Sequence, residues 1–135
     1  MPHYILDKAY TVNQAGGVAA HRVVVQGSGA GECKYPAAAG LAGGTVLGVT
    51  THAQSENGRA VAVRKAGIAL VEASGSITVG QPLEVAGTSG KVRAIAQASG
   101  ERTWCVGYAE TGASIDGDLI EVFLTIHAFT EPFAP

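Results

Sequence analysis

Apolar side chains along this chain recur at every second position, in short runs that glycines interrupt, the period of a strand rather than a helix. The clearest run is residues 119–127, which puts Ile120, Val122, Leu124 and Ile126 on one face. Residues 103–110 similarly put Trp104, Val106 and Tyr108 on one face. In residues 59–65 only Val61 and Val63 share a face, and Arg59 adds no apolar partner, which reads as a strand near a sheet edge. Val23, Val24 and Val25 are β-branched throughout and too few for a helix, so residues 22–26 are read as a strand. Further runs fall at 33–36, 45–51, 68–73 and 91–97, and residues 4–10 read as an extended arm or a first strand.

The turns carry their own chemistry. Asn57-Gly58 sits between two strand-like runs and is the pair that a type I′ hairpin requires. Residues 80–85 and 117–122 both fit G-x-x-[LI]-E-V, a glycine turn launching a strand whose Glu84 or Glu121 points away from its apolar neighbours. Residues 37–44 form a small-residue connection; Ala37 to Leu41 allow one helical turn, and Gly40, Gly43 and Gly44 argue against more. Pro132 and Pro135 end any strand beyond the 119–127 run. These readings predict about nine short strands and an all-β fold, a compact sandwich or barrel of jelly-roll-like character. One domain is expected over 1–135: a first strand or N-terminal arm in 1–20, a β core in 21–127 and a tail in 128–135.

Composition sharpens this picture in two ways. Ile, Leu, Val and Phe make up about 24% of the chain, above the roughly 20% floor of disordered sequences, so a core is affordable. Gly contributes 19 residues and Ala more still, so that core buries little area per residue and gains from subunit or partner contacts. The net charge is −2 and Arg64-Lys65 is the one adjacent basic pair, so no electrostatic grip on nucleic acid is expected. No stretch approaches ~18 apolar residues, so no membrane-spanning segment is expected. The opening Met1-Pro2-His3-Tyr4 lacks the pattern of a secretory signal.

Candidate chemistry is sparse. Without a secretory signal, Cys33 and Cys105 are expected as free thiols. His3, His21, His52 and His127 show no metal-ligand spacing, and no metal or cofactor is expected. Gly27-Ser28-Gly29-Ala30-Gly31 follows a strand, but position 32 is Glu and no helix follows to hold a phosphate. Asp116 and Asp118 flank Gly117 with the composition of a turn, and no G-x-S-x-G elbow occurs. No catalytic residue is therefore assigned. Trp104 and Tyr108, if exposed together, would make a stacking platform for a sugar, the mark of a carbohydrate- or receptor-binding module of a phage tail or cell surface.

The order of several segments adds a resemblance. Residues 44–49, 60–67, 77–85, 106–109 and 116–124 follow one another as in the small capsid decoration, or cement, proteins of tailed bacteriophages, which this chain resembles over about 44–124. Gln81 stands where that family is often acidic, and residues 1–43 match less well. The resemblance implies a non-enzymatic virion protein, made in the bacterial cytoplasm and bound to the outer capsid surface. There it would bind the major capsid protein and clamp neighbouring subunits against internal DNA pressure. It also implies a homo-oligomer, a trimer by family analogy, with a dimer at a capsid two-fold as the competing arrangement. Tyr4, Ile5 and Leu6 at one end and Phe129 and Phe133 at the other are apolar anchors expected to contact the capsid, with Trp104 and Tyr108 as further contact candidates.

Overall fold

The structure is a computed structural model that describes residues 5–95 and 102–130. Nine strands lie in this part: β1 (Leu6–Val12), β2 (Val23–Gln26), β3 (Glu32–Lys34), β4 (Val46–Thr50), β5 (Ala60–Glu72), β6 (Pro82–Val85), β7 (Val92–Ala94), β8 (Arg102–Ala109) and β9 (Leu119–Thr130). The all-β expectation holds, and its architecture is a barrel with an added sheet. The order β1-β3-β2-β4-β5 closes on itself because β5 also pairs with β1, giving a five-stranded barrel. The second half of β5 then leads an antiparallel sheet, β5-β9-β8-β6-β7. A parallel bridge from Ala73 to Val92 brings β7 back towards the end of β5, so this sheet curls as well.

Strand β5 links the two halves. Its Ala60–Ala66 stretch pairs with β1, and Val63 and Arg64 also pair with β4; from Gly67 to Glu72 its partner is β9. Gly67 has φ +97°, a conformation that L side chains rarely adopt, and it stands where the strand leaves the barrel. Residues 59–65 and 68–73, two runs in the sequence, are thus one strand of 13 residues. The edge assignment for 59–65 does not hold either: β1 pairs along 60–66 and β4 joins at Val63 and Arg64 to close the barrel, while Lys65, on the face of Val61 and Val63, reaches the Tyr10 hydroxyl at 2.8 Å.

Two cores result. Tyr10, Val12, Val24, Cys33, Val61 and Val63 fill the barrel. Val23, Val25 and Val49 on the barrel's outer wall pack against Val71, Leu83, Val106, Ile120 and Val122 of the second sheet. Strand β2 is buried on both faces, with Val23, Val24 and Val25 all at 0% exposure, which is why its sequence is an unbroken valine run without alternation.

Other local expectations are revised. Asn57-Gly58 does not form a type I′ turn: among described non-glycine residues only His21 has positive φ, so Gly58 alone supplies it. The turn closes from Arg59 N–H to the Glu56 carbonyl and docks on β1, with Gly58 N–H donating to the Val12 carbonyl at 2.8 Å. Residues 37–44 contain a 3-10 turn at Gly40–Gly43, which lies over β6 and β8. Leu6–Val12 is a barrel strand, the second of the two possibilities the sequence left open. At the other end β9 runs through Thr130, so residues 128–130 belong to the sheet and not to a tail.

Candidate functional site: an exposed apolar sheet face

The second sheet has one face in the main core, and its other face divides into two zones. At the β6 end that outer face is covered. Glu84, expected to point away from its apolar neighbours, does so and is 5% exposed beneath the 3-10 turn. Its carboxylate accepts a hydrogen bond from Thr103 Oγ1 at 2.8 Å and pairs with Arg93 Nε at 2.7 Å. The period of two did turn Glu84 away from the valines, but the small-residue segment 37–44 folds over the side it turned to. Glu121, its counterpart, turns the same way and is exposed.

Among the described residues nothing covers the remainder of the outer face, which is largely apolar. Ile68 lies opposite Phe123, Phe123 opposite Tyr108 and Tyr108 opposite Pro82, so one row crosses four strands. At ~4.8 Å per strand the row spans roughly 14 Å. Ile68, Phe123 and Tyr108 are 47%, 46% and 36% exposed, and Leu70 and Leu119 beside them are 44% and 50% exposed. Several large apolar side chains exposed side by side, rimmed by polar residues, are a feature of contact faces.

A polar row runs next to it. Leu70 lies opposite Glu121, and Glu110 follows in register, its N–H donating to the Glu121 carbonyl at 2.8 Å. Both side chains are exposed, and neither is in an ion pair among the described residues. The nearby cations are already engaged. Arg22 and Lys91 each reach Glu72 at 3.2 Å, Lys91 also reaches Asp116 at 3.1 Å, and Arg64 pairs with Asp7 at 2.9 Å. Hydrogen bonds to Asp116 and then Glu72 raise the Lys91 pKa above its ordinary value, and the bond to Asp7 does the same for Arg64.

The sequence candidates divide across this geometry. Tyr108 is in the apolar row. Leu6, 57% exposed, lies opposite Ala66, two positions along β5 from Ile68, and Ile5 beside it is also exposed. Trp104 is half-buried against the main core. It does not share a face with Tyr108: the pairing shifts register between Cys105 and Gly107, so that Val106 and Ala109 both enter the core and Tyr108 turns outward. The backbone of Phe129 lies in β9 opposite Thr103, while Tyr4 and Phe133 fall outside the described residues. Ile68, Leu70, Leu119 and Phe123 were not singled out from the sequence. Their signal was present, because these residues alternate with core positions of the same strands and are themselves large and apolar.

The other candidate groups are committed to structure. Gly29 N–H donates to the Glu32 carboxylate at 2.7 Å, so the glycine-rich loop 27–31 holds an anion from the chain itself. Asp118 accepts from the N–H groups of Ser114 and Ile115 within its turn. Cys33 and Cys105 are free and buried; burial pushes the Cys33 pKa up to about 11 and raises that of Cys105. A cleft of about 150 Å³ between His21, Thr50, Thr51, Arg64, Ala69 and Leu70 is smaller than the ~300 Å³ at which small-molecule pockets begin. Among the described residues no group of three or more His, Cys, Asp or Glu is placed to hold a metal ion.

No family model matches the chain, and no curated protein does. Among solved structures the chain is similar to the N base of the head fiber gp8.5 of bacteriophage phi29, with a TM-score of 0.65 and 20% identity over 90% of this chain and 95% of that one. At that identity the likeness establishes a shared fold.

Proposed function

We propose that the chain is a structural, non-enzymatic protein of a bacteriophage virion, seated on the outer capsid surface. The likeness that carries this reading is the fold shared, over nearly the whole of both chains, with a phage head fiber base. The ordered segments over 44–124 support it independently, because they resemble capsid decoration proteins. The bare apolar face supports it in physical terms, since it offers a contact surface and no constellation of reacting groups.

In this role the chain is made in the bacterial cytoplasm, joins the head by binding the major capsid protein and cements adjacent subunits. A homo-oligomer suits the task, because several weak contacts on a fixed lattice act together at high effective concentration. A trimer is the arrangement the family suggests, and a dimer on a capsid two-fold is its competitor. Trp104 and Tyr108 lie on opposite sides of β8, which counts against the carbohydrate- or receptor-binding alternative that their joint exposure would favour.

Co-sedimentation tests the reading. Heads of the phage that encodes the chain, assembled without it, are mixed with the purified protein and pelleted. Saturable binding with a fixed number of copies per head is the expected result. Protein left in the supernatant at every concentration would contradict it.

A further inference from the structure

We propose that the outer face of β5-β9-β8 is the surface that docks on the capsid, and that the patch it meets is apolar and carries Lys or Arg side chains. The inference rests on the virion reading above and specifies the surface and the partner chemistry it needs.

Three observations carry it. The row Ile68, Phe123 and Tyr108, with Leu70 and Leu119, is exposed among the described residues, while the other end of the same sheet face is covered by residues 37–44. The chain thus has the means to cover this face and covers only the part with Glu84. Next to the row, Glu110 and Glu121 are like-charge neighbours across two strands, an arrangement that is unfavourable in isolation. Finally, Arg22, Lys91 and Arg64 around the face are engaged with Glu72, Asp116 and Asp7, and among the described residues no Lys or Arg pairs with Glu110 or Glu121.

Charge complementarity selects the occupant. An apolar partner surface bearing guanidinium or ammonium groups removes the apolar row from water and relieves the carboxylate pair at once. A second copy presenting the same face across a two-fold axis would bring four carboxylates together, so this face does not suit a self-contact.

The test compares binding to heads assembled without the protein for the wild type, F123S, I68S, E110K/E121K and, as a control remote from the face, E56K. All substituted side chains are exposed, and thermal melts confirm that each variant is folded. F123S and E110K/E121K are expected to weaken binding more than tenfold, with I68S intermediate and E56K unchanged. Wild-type binding is expected to weaken as salt rises, and E110K/E121K to lose that dependence. If the wild type binds and all variants bind equally well, the docking face is wrong and the virion reading stands. If the wild type does not bind, the virion reading fails and this inference fails with it. If F123S turns an oligomer into a monomer in light scattering and binds heads as the wild type does, the face is covered by a second copy and the inference is overturned.

Discussion

Glu84 and Cys33 show how single side chains are held in the interior of this protein. Glu84 keeps its place because Thr103 and Arg93 satisfy both carboxylate oxygens. Glu84→Ala leaves the buried Thr103 hydroxyl unpaired and is expected to cost about 1–3 kcal/mol in urea unfolding, whereas Glu84→Gln, which still accepts from Thr103, costs less. Equal stability of the two variants would contradict that role. Cys33 makes a pH-dependent contribution. Its thiol has a reference pKa of 9.0 and is pushed up to about 11 in the barrel, so the folded chain holds its proton longer than the unfolded one. The associated stability is complete below about pH 9 and is lost as pH rises through about 11, up to roughly 2–3 kcal/mol. Cys33→Val removes the group, so wild-type stability is expected to fall relative to that of the variant over that interval, and a constant difference would count against a buried neutral thiol. In the folded protein at pH 8 neither cysteine should react with a thiol reagent, and both should react in denaturant.

Strands were legible where one face is apolar and the other is not. Strand β9 follows its sequence pattern, with Ile120, Val122 and Leu124 buried and Ile126 packed against them. What a period of two does not encode is which strand lies alongside, or what covers the opposite face. For that reason the pattern shows two runs where β5 is one strand, turns Glu84 from its apolar neighbours without showing that residues 37–44 cover it, and does not mark the row through Phe123. Glycine is ambiguous in the same way, because it marks a turn in one place and permits a close approach in another. Gly107 is the second kind: a Cβ there would lie 2.2 Å from the Phe123 carbonyl oxygen, where β8 presses on β9. Gly107→Ala is expected to lose about 2–4 kcal/mol in thermal or chemical unfolding. Gly75→Ala meets nothing within 4 Å and should stay within about 0.5 kcal/mol of wild type. Similar losses at both positions would mean that contact at Gly107 is not the cause.

For the whole molecule, the closed barrel and curled sheet hide most strand edges among the described residues, which would suit the proposed many-copy role because free edges invite polymerisation. The apolar row on the second sheet is the surface left for contact, and the N-terminal pair Ile5 and Leu6 adjoins it through Ala66. On the proposed role, cementing would need no large rearrangement, because the face is already formed. The most direct measurement is cryo-electron microscopy of heads assembled without the protein and then saturated with it. Regular added density at symmetry-related positions on the outer surface is expected, bridging neighbouring capsid subunits, with the β5-β9-β8 face turned towards them. Its symmetry also distinguishes a trimer from a dimer on a two-fold. Bare heads under saturating protein, or density that touches one subunit alone, would contradict a cementing role.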